Sequence, residues 1–229
     1  MHEHHRERLK KRFLNEGLDG FEPHNVLELL LFYAIPQKDT NELAHTLIQR
    51  FGSLAGVLDA SFDELITVPG IKDHAATLIK LIPSLSRSYM IDKSNRKEKL
   101  STTEQLGEYF INKYIGINKE TVYLLLLDNK YEEIDCIRIH EGSVNSASIT
   151  ARTLVEHALF RHASFVVLSH NHPSGCAIPS SEDIHTTRTL ARIFETMGIH
   201  FFGHILVAEQ SYIDIVNADR QSPLLQGIY

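Results

Sequence analysis

Cysteine is scarce in this chain of 229 residues: Cys136 and Cys176 are the only two. That is too few for the disulfide framework of a secreted scaffold. No apolar run reaches the length of a membrane-spanning helix, and no signal peptide is read, so a cytoplasmic protein that does not enter membranes is expected. Positive charge does not dominate either. Twenty-three Lys and Arg stand against 29 Asp and Glu, a formal net charge of −6, which excludes a global basic field and leaves only local contact with nucleic acid. The single candidate patch is Arg6, Arg8, Lys10, Lys11 and Arg12; interleaved with Glu3 and Glu7, it reads first as the solvated face of an opening helix.

What is present is a chain with 43% hydrophobic residues, long enough for one full core and a smaller helical domain. Residues 1–91 carry helical patterns throughout, over 26–33, 41–50, 53–58, 62–66 and 73–90. Between the last two, Val68-Pro69-Gly70-Ile71-Lys72 looks like a helix-hairpin-helix turn, the unit that offers backbone N–H groups to a DNA phosphate. Lys72 stands where the usual form has a second glycine. The turn reads equally as a packing element of a small bundle.

The charge-dense stretch 92–100 reads as a linker, and a second domain is expected over 101–229. There a helix over 103–113 precedes strands over 120–128 and 133–140. A helix over 151–162, a strand over 164–169, a helix from 181 that stops before Gly198, and strands over 199–208 and 211–216 follow. The expectation is an α/β fold, a mixed sheet with flanking helices, preceded by a small all-α domain.

The chemistry concentrates in fourteen positions, His170-Asn171-His172-Pro173-Ser174-Gly175-Cys176-Ala177-Ile178-Pro179-Ser180-Ser181-Glu182-Asp183. His170 and His172 follow an apolar strand and, because strand side chains alternate, project to one side. Ser180 reads as the N-cap of the next helix, which sets Asp183 in its first turn. Two imidazoles and a carboxylate leave one corner of a tetrahedral zinc (Zn²⁺) site open, as in catalytic rather than structural centres. Ser180 with Asp183 also reads as a capping box that only satisfies backbone groups.

His170-x-His172, seven residues, Ser180, two residues and Asp183 resemble the JAMM motif of the JAB/MPN metalloproteases. The wording His-Asn-His-Pro-Ser-Gly is similar to the bacterial RadC branch, and the similarity extends through Leu127-Asp128-Asn129-Lys130, Gly142-Ser143-Val144-Asn145-Ser146 and Gly203-His204-Ile205-Leu206-Val207. Three look-alikes fail. HNH nucleases place their residues on separated pieces of a metal finger, zinc deaminases need His-x-Glu with Pro-Cys-x-x-Cys, and a His-Glu-x-x-His helix is absent.

The resemblance implies an MPN fold, His170, His172 and Asp183 as zinc ligands, and hydrolysis of a peptide or isopeptide amide in a peptide or protein substrate. It also implies a glutamate base at the first strand of the domain, where Glu120 stands. An ordinary strand-start glutamate is the alternative, and Glu141, before a glycine turn, is the second candidate. Ser180 is expected to share the charge of an oxyanion, in competition with simple capping. His204 reads as a core or ligand-supporting histidine within a strand, and Cys176 as a small turn residue or a thiol near the metal. Asn145, Ser146 and Ser148 match a family segment and carry no assigned chemistry. A repair-associated DNA-binding protein with little hydrolysis, and a metal-bound scaffold that recruits partners, are the competing readings.

Overall fold

A computed structural model describes residues 2–36, 38–94, 99–142, 150–173 and 175–221. Asn145, Ser146 and Ser148 lie outside them. The chain divides into two compact units, Met1–Ser86 and Arg87–Tyr229.

The first unit is helical: α1 (His2–Glu16), α2 (Pro23–Ala34), α3 (Asn41–Phe51), α4 (Leu54–Asp59), α5 (Phe62–Ile66) and the start of α6 (Asp73–Ser94). Leu27, Leu31, Leu47, Leu65 and Ile79 fill its core without exposure. The basic face of α1 is partly spent on packing. The Arg6 guanidinium donates to the carbonyls of Ile35, Pro36 and Lys38 and lies 4.6 Å from the centre of the Phe32 ring. Arg12 covers Phe21 and Lys10 covers Tyr33, so three of the five cations sit on aromatic faces.

Ser61 and Glu64 form a capping box on α5. The chain then turns through Gly70 at φ 98°, a left-handed conformation that suits glycine, into α6. Val68 and Ile71 are buried on either side of that turn, and Lys72 is exposed. α6 runs to Ser94, past the expected start of the linker at residue 92. High charge density does not stop a helix, and between residues 84 and 94 there is neither glycine nor proline to do so.

The second unit is a three-layer α/β/α sandwich. Its helices are α7 (Thr103–Tyr114), α8 (Ala151–Phe160), α9 (Ser181–Thr196) and α10 (Ile215–Gln221). Its strands are β1 (Thr121–Leu127), β2 (Glu133–Glu141), β3 (Phe165–Asn171), β4 (His200–Ala208) and β5 (Ser211–Asp214). The sheet order is β2-β1-β3-β4-β5, with β3 and β4 parallel and the other pairs antiparallel. Every residue of β1 is buried, which explains its run of four leucines: a central strand covered on both faces has no polar side to alternate with.

Val122, Leu124, Leu126, Val166 and Leu168 point to the layer of α8 and α9, where Leu154, Leu190 and Phe194 meet them. Leu125, Leu127 and Val167 point the other way, to Leu106 and Phe110 of α7. The last expected strand is shorter than 211–216. At Asp214 the chain turns into α10, and the Asp214 carboxylate accepts from the backbone N–H of Val216 at its first turn, 3.1 Å away. A side-chain cap of this kind competes with continuation of the strand.

Candidate metal centre

Parity along β3 builds the site. Val166 and Leu168 face α8 and α9, so His170 emerges on that face at the carboxyl end of the strand, with His172 one step beyond. Ser180 caps α9. Its Oγ accepts from the Asp183 backbone N–H at 3.1 Å and donates to Asp183 Oδ2 at 2.6 Å, while its own N–H reaches the same Oδ2 at 2.8 Å. The capping box and the metal reading are therefore compatible: Oδ2 serves the helix, and Oδ1 turns to His170 Nε2, 3.3 Å away.

His170, His172 and Asp183 each offer a ligand atom, all within 4.8 Å of one another. The Nε2 of His170 is buried and has no hydrogen bond, an orphaned polar atom of the kind a cation would satisfy. Burial pushes the His170 imidazole down to about 4 against the opposing pull of Asp183, so it stays neutral and keeps a lone pair near neutral pH. The same cause, with His170 second, holds His204 well below its ordinary value. Nδ1 of His172 lies 3.4 Å from the Cys176 carbonyl. That oxygen can only accept, so a proton on Nδ1 would satisfy it and leave Nε2 for the cluster. Cys176 thus contributes its backbone; its side chain is exposed and does not belong to the ligand group.

Around these ligands lies a cleft of about 390 Å³, lined on the sheet side by Glu120, Val122 and Leu168 and on the helix side by Ser180, Glu182 and His185. The antiparallel β1–β3 ladder ends at the pair Val122↔His170, and Glu120 and His172, each two residues beyond that pair, both line the cleft. Glu141 does not line the cleft. Its carboxylate pairs with Arg138 and, at 3.8 Å, with Lys119, all three being largely exposed.

Two residues that the sequence left without a role frame the site. Asn171, between His170 and His172, points to the opposite face and grips the chain on both sides of Glu120. Its Oδ1 accepts from Thr121 N–H at 2.7 Å, and its Nδ2 donates to the Lys119 carbonyl at 3.2 Å. Thr187, one turn after Asp183, is buried between α9 and His204. Helical spacing from Asp183 was the one signal available for it.

The family model described as "RadC-like JAB domain" matches residues 100–220. A UPF0758 protein of Fusobacterium nucleatum subsp. nucleatum is 34% identical over 220 residues, covering 93% of this chain and 94% of that protein. With its mixed sheet and its His-x-His strand end, the chain belongs to the RadC family of JAB-domain proteins.

Proposed function

We propose that the protein is a zinc-dependent hydrolase of the JAMM type that cleaves a peptide or isopeptide amide. The observation that carries this reading is the orphaned Nε2 of His170, 3.3 Å from Asp183 Oδ1 in a group where His170, His172 and Asp183 each have a ligand atom within 4.8 Å of the others. Two imidazoles and one carboxylate suit zinc and leave room for a further ligand. When bound, zinc supplies a Lewis acid that makes water nucleophilic near neutral pH and polarises the scissile carbonyl.

Glu120, on the cleft wall, takes a proton from the attacking water and returns it to the amine nitrogen as the C–N bond breaks. Ser180 first orients Asp183. Its one hydroxyl proton is engaged by Oδ2, so helping an oxyanion requires that bond to be exchanged. Protein purified without chelators is expected to hold about one zinc per chain, lost in His172→Ala, and to cleave members of a peptide library. Wild-type protein without stoichiometric metal would end the proposal.

A second reading concerns the first unit. Gly70 at φ 98° opens a tight turn with Lys72 exposed at the start of α6, the arrangement that would present backbone N–H groups and one cation to a DNA phosphate. Binding of duplex DNA that weakens with salt and disappears in Lys72→Glu supports it. No binding at low salt removes it.

A further inference from the structure

A chain of three hydrogen bonds leaves the buried side of His170 and returns to the helix that carries Asp183. His170 Nδ1 lies 2.9 Å from His204 Nε2, His204 Nδ1 lies 2.6 Å from Thr187 Oγ1, and Thr187 Oγ1 lies 2.6 Å from the Asp183 backbone carbonyl. His170, Thr187 and His204 are each at most 4% exposed, so this chain is shielded from bulk solvent.

The direction of every proton follows from the last link. A carbonyl oxygen only accepts, so the Thr187 hydroxyl donates to it. Thr187 Oγ1 must then accept from His204, which places the His204 proton on Nδ1. With the Nδ1 proton committed to Thr187, the Nε2 of His204, 2.9 Å from His170 Nδ1 on a ring only 2% exposed, is the acceptor of this pair and takes its hydrogen bond from His170. The His170 proton is therefore on Nδ1, and Nε2 is left bare toward the ligand cluster.

We infer that Thr187 and His204 are positioning residues that lock His170 in the single tautomer able to ligate a metal through Nε2, with the Asp183 carbonyl as the fixed end of the relay. The same loop ties two ligands from different elements, His170 of β3 and Asp183 of α9, into one unit. Ligating histidines are commonly oriented by a partner on the far ring nitrogen, and loss of such a partner costs about 10- to 100-fold in metal affinity. Here the partner is itself oriented, so the effect reaches His170 from Thr187, two hydrogen bonds away.

The inference rests on the proposed metal site, but its first test does not need metal. In metal-free protein with ¹⁵N-labelled histidine, the imidazole nitrogen shifts should show His170 and His204 both protonated on Nδ1. Thr187→Val, which keeps the shape and removes the hydroxyl, should mix the tautomers of both rings, while Thr187→Ser should restore the wild-type pattern. Zinc competition titrations should show about 10- to 100-fold weaker binding in Thr187→Val and near wild-type binding in Thr187→Ser. His170 protonated on Nε2 in wild-type protein, or Thr187→Val with an unchanged tautomer pattern or unchanged zinc affinity, overturns the relay. Wild-type protein with the expected tautomers and no zinc affinity instead leaves the relay standing and removes the metalloenzyme reading.

Discussion

Ser180 holds Asp183 by one carboxylate oxygen only: Oδ2 receives both the backbone N–H and the hydroxyl of Ser180, and Oδ1 is left to face His170. A helix cap and a ligand-orienting contact are thus the same pair of hydrogen bonds. Ser180→Ala removes the hydroxyl from both the cap and Oδ2 and leaves the carboxylate held by the backbone N–H alone. We expect a loss of about 1 kcal/mol in stability together with about 10-fold weaker zinc binding, read by urea unfolding and competition titration. Retained zinc affinity alongside lost stability would separate the two functions.

The two candidate bases occupy different surroundings, and their variants should diverge. Glu120→Gln is expected to lower turnover by about 10²- to 10⁴-fold with zinc content unchanged. Glu141 sits in an exposed ion pair with Arg138, and Glu141→Gln should stay within a few-fold of wild type. Wild-type activity in both variants would leave the cleft without a glutamate base, and no turnover even in the wild type would favour a metal-bound scaffold.

Asn171 carries weight out of proportion to its place between two ligands. Asn171→Ala leaves the buried Thr121 N–H without its acceptor, which should cost about 1–3 kcal/mol. Asn171→Asp keeps that acceptor and loses the donor to Lys119, so it should fall between. Since the grip flanks Glu120 and not the ligands, zinc affinity should change little while turnover drops. A zinc affinity that falls as steeply as in His172→Ala would refute this division of labour.

Acid should destabilise the metal-free protein in a defined window. The His170 imidazole ordinarily titrates near 6.5 and is pushed down to about 4 by burial. Between those values the unfolded chain binds more protons than the folded one. The contribution to stability is therefore complete above about pH 6.5 and is lost as the pH falls toward 4, by on the order of 3 kcal/mol. His204 acts in the same direction. Denaturant titrations of metal-free wild type and His170→Asn between pH 7 and 4 should show a shallower slope in the variant; parallel slopes would contradict the assignment.

Much of this was legible because period and punctuation were strong. The leucines of β1, the Ser180 cap and the His-x-His ending of β3 are local signals, and α5 begins at Phe62 and ends at Ile66 as its pattern predicts. The cluster of His170, His172 and Asp183 was legible for the same reason: one strand end and the next helix start supply all three groups. The rest depended on contacts between distant segments. Asn171 and Thr121 are 50 positions apart, and His170 and His204 are 34 apart. Which strand pairs with β3, and in what register, decides both contacts. The turn of Asp214 into α10 was missed because a carboxylate caps a short helix where the apolar letters Ile213, Ile215 and Val216 continue a strand pattern.

Because adjacent residues of β3 serve opposite faces of the sheet, this strand has no tolerance for misalignment. Sliding it by a single position would turn both imidazoles toward the α7 layer, where Tyr114 and Phe110 are packed, and swing Asn171 into the cleft. Correct pairing of β1 with β3 during folding is thus also the step that assembles the cluster of His170, His172 and Asp183, and a chain mispaired there would lose that cluster as well as its stability.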